Sequence, residues 1–194
     1  MLASLRFALP CLLVAACMSN PPGSVDGSIK GNSYPVAAAL SATVQTTSGG
    51  GFGMVVLSSA ADACSPAAAQ VSHPGEKSVV VIVAANDGRA IATPPTATGT
   101  YAIPDPTADP VPNAMVATVF TSNLDATCEN NADDQTTAVS GTVTIDSIDG
   151  QLYSGSFDVT LDSGDHVTGS FSPGSCSSLA AIVTGDNPPP TCKP

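Results

Sequence analysis

The chain has 194 residues, of which 16 are acidic, 5 basic and none Trp, so one domain of ordinary size accounts for it. A hydrophobic fraction of 43% is too high for a disordered acidic chain and implies a core, while no apolar run is long enough for a mature membrane span. The formal net charge of −11, with no Lys/Arg cluster to offset it, repels a phosphate backbone and excludes nucleic acid as a partner.

Residues 1–16 read as a secretory signal, with Arg6 supplying the positive start and Phe7 to Ala16 an apolar stretch too short to span a bilayer. The cleavage region Val14-Ala15-Ala16-Cys17 resembles the lipobox of bacterial lipoproteins. That resemblance implies that Cys17 takes the diacylglycerol and becomes the mature N-terminus. Cys11 does not compete, because Pro10 before it is not a small residue. Two or three acyl chains, at about 0.8 kcal/mol per buried methylene, make such an anchor very slow to leave the membrane. Residues 17–24, ending in Pro21-Pro22-Gly23-Ser24, form a tether. Loss of Arg6 with the signal leaves 4 basic against 16 acidic groups, a net charge of −12 that keeps the body off anionic lipid heads. In the enterobacterial sorting rule an Asp after the lipid Cys retains a lipoprotein at the inner membrane; by that resemblance Met18 favours the outer membrane.

Residues 25–185 read as a single all-β domain. No segment sustains a helical period, and the Ala-rich stretches are interrupted by Thr, Ser, Val and Pro. Strands are predicted at Val25 to Lys30, Pro35 to Thr46, Gly53 to Ser58, Ser78 to Ala85, Thr98 to Ile103 and Met115 to Thr121. Gly49 to Gly53 opens a strand and has no following Lys, so it reads as a hairpin end rather than a phosphate cradle. Val79 to Val83 is continuously apolar, which predicts a central strand covered on both faces, and Asn86-Asp87-Gly88 is a turn signal. Pro94-Pro95 and Pro104, Pro106, Pro110 and Pro112 mark loops or an extended edge. From Val139 to Ser172 apolar and polar residues alternate through three runs. Val139, Gly141, Val143 and Ile145 form one inward set, Tyr153, Gly155, Phe157, Val159 and Leu161 the next, and Val167, Gly169 and Phe171 the third. These predict an antiparallel meander turning at Asp149-Gly150 and Asp162 to Asp165. A last strand is predicted at Leu179 to Thr184, and residues 186–194 form a Pro-rich tail. The count, roughly nine or ten short strands, suggests an antiparallel β-sandwich or flattened β-barrel.

Gly141-Thr142-Val143-Thr144-Ile145, Gly155-Ser156-Phe157-Asp158-Val159 and Gly169-Ser170-Phe171, followed by Cys176, resemble a group of predicted lipoproteins of the myxobacterial kind. The resemblance is strong over the last third of the chain and loose over the rest. It implies a fold and an address but no chemistry.

With Cys11 and Cys17 set aside, Cys64, Cys128, Cys176 and Cys192 remain, an even number that implies two disulfides in an exported chain. No Cys-x-x-Cys spacing supports a zinc or redox site. Of the three connectivities, Cys128 with Cys176 closing the meander and Cys64 with Cys192 pinning the tail is the expectation. No catalytic residue is assigned: the chain has no Gly-x-Ser-x-Gly elbow, and its only imidazoles, His73 and His166, precede a Pro-Gly loop and lie on a polar strand face. The acidic loop Asp125, Glu129, Asp133, Asp134 has no calcium-loop spacing and reads as a solvated loop, so no metal or other cofactor is expected. The expectation is a non-enzymatic, lipid-anchored envelope module that is structural or binds an envelope partner. The alternative is a sandwich or barrel binding a small molecule or saccharide, for which only Tyr34, Tyr101 and Tyr153 are available to stack.

Overall fold

The computed structural model describes residues 22–46, 49–69, 71–86, 91–109, 111–183 and 191–193. The signal and Cys17 lie outside them, as do Asp87 and Gly88 of the expected turn. In chain order the elements begin with β1 (Gly23–Asp26), β2 (Ala38–Gln45), β3 (Gly51–Ser58), α1 (Cys64–Ala69), β4 (Val71–Ser72), β5 (Lys77–Asn86) and β6 (Ile91–Thr93). There follow β7 (Gly99–Ala102), β8 (Ala114–Asn123), β9 (Ala138–Asp149), β10 (Leu152–Leu161), β11 (His166–Phe171), β12 (Gly174–Ser175), α2 (Ser177–Val183) and β13 (Thr191–Cys192). The fold is all-β and disulfide-stabilised. A five-stranded antiparallel sheet, β1-β11-β10-β9-β7, faces a second sheet in which β12, β2, β3 and β5 follow one another and β8 and β6 both pair with β5.

The alternation of the meander sets the core. Val143, Ile145, Tyr153, Phe157, Val159, Leu161, Val167 and Phe171 point from the five-stranded sheet toward Val55, Leu57, Val79, Val81, Val83, Ala117 and Val119 of the other. β9 departs from strict alternation twice. Its pairing with β10 shifts by one residue between Ser154 and Gly155 and again between Thr160 and Leu161, so Asp146 and Val139 are the extra residues of two bulges. A slip of one residue reverses the side-chain direction. Ala138 is therefore buried where Val139 was expected, and Ile148 rather than residue 147 packs on the core beside Tyr153.

β5 is central, with β3 on one side and β8 on the other. Val79, Val81 and Val83 enter the core between the sheets, while Val80 and Ala84 join a second apolar cluster on the outer face with Leu40, Ala42, Val44, Phe52 and Met54. That outer cluster explains two elements the sequence reading lacked. α1 and α2 stand over it through Ala63, Cys64, Ala67, Cys176, Leu179 and Ala180. The strand expected at Leu179 to Thr184 is thus the helix α2 in its described part. Seven residues fit either period, and Cys176 and Leu179, three apart, place one helical face on the sheet. α1 is not interrupted by Pro66, which lies in its first turn, where a missing N–H costs nothing.

The disulfides are Cys64–Cys176 and Cys128–Cys192, so the expected pairing of Cys128 with Cys176 and Cys64 with Cys192 is corrected. The reason is a crossing of the chain. After β11 it leaves the five-stranded sheet, and β12 pairs in parallel with Leu40 and Ser41 of β2. Cys176 is thereby carried to the outer face of the opposite sheet, next to α1, and away from the meander it follows in sequence. The tail has its own attachment. Thr191 and Cys192 pair in parallel with Val71 and Ser72, and Lys193 N–H donates to the Ser72 carbonyl at 3.0 Å. At the other terminus β1 takes in Gly23 and Ser24, which the sequence reading assigned to the tether, because Gly23 packs closely against the Ser170 and Phe171 backbone.

Candidate functional surfaces

A small apolar space lies between the two sheets. There Gly53, Val55, Val81, Val83, Pro95, Ile145 and Tyr153 close in so tightly that a water molecule has no room. The Tyr153 ring lies against Gly53, and its hydroxyl meets Thr43 Oγ1 at 2.7 Å. Ser41, fully buried, donates its hydroxyl to the Gln151 carbonyl at 2.8 Å and accepts from Tyr153 N–H at 3.2 Å. These bonds tie the β9–β10 hairpin to β2 and satisfy polar groups between the sheets. The tyrosines weighed for sugar stacking are placed accordingly. Tyr34 and Tyr153 are buried, burial raises the Tyr34 pKa, and half-buried Tyr101 donates its hydroxyl to the Ala97 carbonyl.

The outward face of the five-stranded sheet is mostly polar. Register places Thr100, Thr144, Ser156, Ser170 and Ser24 in one row across all five strands. Hydroxyls then repeat at the strand spacing of about 4.8 Å. Neighbours within the row bond to each other, Thr100 to Thr144 at 3.1 Å and Ser24 to Ser170 at 3.2 Å. The next row holds Ala102, Thr142, Asp158, Thr168 and Asp26. His166 stands at the edge of this face, its Nε2 2.8 Å from Asp158 Oδ1, with both side chains well exposed. Such an exposed pair contributes little to stability. His73 is engaged differently, Nδ1 lying 3.1 Å from the Lys193 carbonyl oxygen.

The acidic loop is held by its own carboxylates. Asp125 Oδ1 accepts from Thr127 N–H at 2.7 Å, Thr127 Oγ1 at 2.8 Å and Glu129 N–H at 3.0 Å, forming a tight turn around Cys128, whose φ is +61°. Asp134 accepts from the side-chain amides of Asn123 and Asn131, and Lys30 Nζ donates to the Asp133 carbonyl. Among the described residues, no three His, Cys, Asp or Glu side chains converge as metal ligands would.

The turn bonds hold the Asp125 carboxyl below its ordinary pKa, the Thr127 hydroxyl contributing most. Asp105, bonded by Thr107, and Asp165, bonded by Lys30 N–H and Ser163, are lowered in the same way. A carboxylate whose pKa falls on folding stabilises the fold above the unfolded value and loses that contribution as pH drops through the folded one. Carboxyl-carbon NMR is expected to give midpoints below the usual aspartate value of about 3.9 for all three. Midpoints at or above that value would mean that these turns do not persist in solution.

Comparison of the chain with protein-family models, with curated proteins and with solved structures finds no match. Among the described residues no helix is long and apolar enough to cross a membrane.

Proposed function

We propose that this protein is a lipid-anchored component of the bacterial cell envelope, held in the membrane through Cys17 and acting as a non-enzymatic structural or partner-binding module. The observation that carries the reading is Val14-Ala15-Ala16-Cys17 at the end of a charged and then apolar leader, followed within a few residues by β1. Anchor and first strand are thus separated in sequence only by Met18 to Pro22. Two disulfides are in keeping with an oxidising, exported environment. The non-enzymatic half of the proposal draws on the imidazoles. One is joined to a carboxylate on an open face and the other to a backbone carbonyl, and among the described residues neither ring is hydrogen-bonded to a Ser, Thr or Cys side chain that it could activate. The hydroxyl-lined face of the five-stranded sheet is the surface proposed for a partner, and Met18, where the enterobacterial sorting rule would need Asp for inner-membrane retention, makes the outer membrane the proposed address.

Fractionation tests the anchor. The wild-type protein is expected in the membrane pellet, released by detergent and not by high salt, and labelled by a radioactive fatty acid. Cys17→Ser is expected in the soluble exported fraction without label. Retention of Cys17→Ser in the pellet, or a wild-type protein without acyl label, would overturn the reading.

A further inference from the structure

The two disulfides hold parts of different standing in the fold. Cys176 is 1% exposed and sits in the outer apolar cluster with Leu40, Ala42, Met54 and Leu179, and Cys64 packs against the same cluster. Cys128 and Cys192 belong to neither cluster and are both half-exposed. What Cys128–Cys192 secures is a strand of two residues. Among the described residues β13 pairs only with β4, also two residues long, and the pair is separate from both main sheets. Beyond the covalent bond, the attachment among the described residues consists of that backbone pairing, Lys193 N–H to the Ser72 carbonyl, and His73 against the Lys193 carbonyl. A pairing this short, with Thr191 and Lys193 exposed, is marginal alone in water.

We infer that Cys128–Cys192 is a redox latch for the C-terminal strand: a dithiol opens it with the sandwich intact, releasing Thr191–Lys193 and exposing the edge of β4. The chemistry balances within the named reactants. A thiolate of the dithiol attacks one sulfur of the pair, giving a mixed disulfide and one free cysteine. The second thiol of the reductant then displaces the other cysteine. Two electrons and two protons end on Cys128 and Cys192, and the reductant leaves as a cyclic disulfide. Cys64–Cys176 offers less to the same attack: the sulfur of buried Cys176 is closed to a thiolate, which leaves only Cys64, itself half-exposed but packed against the outer cluster, whereas both cysteines of the tail bond are half-exposed and outside the clusters.

The test is timed reduction of the oxidised protein by dithiothreitol without denaturant, with alkylation of free thiols and peptide mapping. Cys128 and Cys192 are expected to be alkylated at least tenfold faster than Cys64 and Cys176. At that stage the β-sheet circular dichroism should be unchanged and amide exchange at Val71 and Ser72 accelerated. Equal rates for the two pairs, or reduction of Cys128–Cys192 only as the β-sheet signal is lost, would overturn the inference. A Cys128→Ala, Cys192→Ala double variant checks it independently. It should keep the β-sheet spectrum and the intact Cys64–Cys176 bond, and failure to fold would show that the bond is part of the scaffold.

Discussion

Replacing Cys64 and Cys176 together by Ala is expected to lower the stability of the protein by about 4 kcal/mol and to expose the outer face of the six-stranded sheet. The bond spans 112 residues, and closing a loop of that size is worth about 4–5 kcal/mol in the chain-entropy model. A domain has only about 5–15 kcal/mol to lose. The native state is affected too. α1 has six residues and α2 seven, far short of the length at which a helix holds itself in water. Of the contacts named above, only those of Ala63, Ala67, Leu179 and Ala180 would then keep them over Leu40, Ala42, Val44, Phe52 and Met54. The double variant should therefore bind a hydrophobic dye while retaining its β-sheet spectrum, because the core between the sheets contains neither cysteine. Alanine is chosen over serine so that no hydroxyl is left unpaired at the buried Cys176 position. An unchanged urea midpoint with no dye binding would show that the helices are held by packing and not by the bond.

The parts of this fold that were legible in sequence are those where one period governs. In Val143 to Ile145, Tyr153 to Leu161 and Val167 to Phe171 an apolar face and a polar face alternate. The structure places the apolar set in the core and the Ser/Thr set on the outer face, since each strand there has one dry and one wet side. Val79 to Val83 was equally legible, because a continuous apolar run has no wet side, and both of its faces are covered. What was not legible depends on contacts distant in sequence. The bulges at Val139 and Asp146 are features of pairing between strands and reverse the alternation without any local marker. β12 and β13 are two residues long, below any periodicity. The disulfide partners follow from the crossing at β12, so Cys176 could not be assigned from its place after the meander.

The candidate surfaces divide along the same line. The hydroxyl rows were half visible, since Thr142, Thr144, Ser156, Thr168 and Ser170 occupy the polar positions of the alternation. Their alignment into a row running from Thr100 to Ser24 needed the register of five strands and the placement of β1 at the sheet edge. The acidic loop was visible as composition only. That Asp125 spends its carboxylate on its own turn is a matter of backbone path, and it turns a cluster of ligand-type residues into an architectural one.

The second large effect is expected at Gly155, where alanine should cost about 3 kcal/mol, the upper end of what overpacking commonly does. A Cβ built there would lie 1.9 Å from the Thr144 carbonyl oxygen and 3.1 Å from the Ile145 Cα. Both are backbone atoms of the neighbouring strand, so no side chain can rotate away to make room. The position coincides with the register shift between Ser154 and Gly155, where β9 carries the extra Asp146. Relief would require β9 and β10 to separate near Ile145 and Tyr153, which are buried on the core side. Gly169 is the natural comparison. There a Cβ would come within 2.4 Å of both the Phe157 ring and the Ser24 carbonyl oxygen, so the ring can yield but the backbone of β1 cannot. Gly169→Ala should accordingly be milder than Gly155→Ala and should loosen β1, seen as faster amide exchange at Val25. Ser156→Ala, one residue along on the solvent face, sets the baseline and is expected to change stability by no more than about 0.5 kcal/mol. Urea unfolding with an unchanged slope gives the three values. Equal effects at Gly155 and Ser156 would mean that β9 and β10 part readily at the bulge, contrary to the close approach described for them.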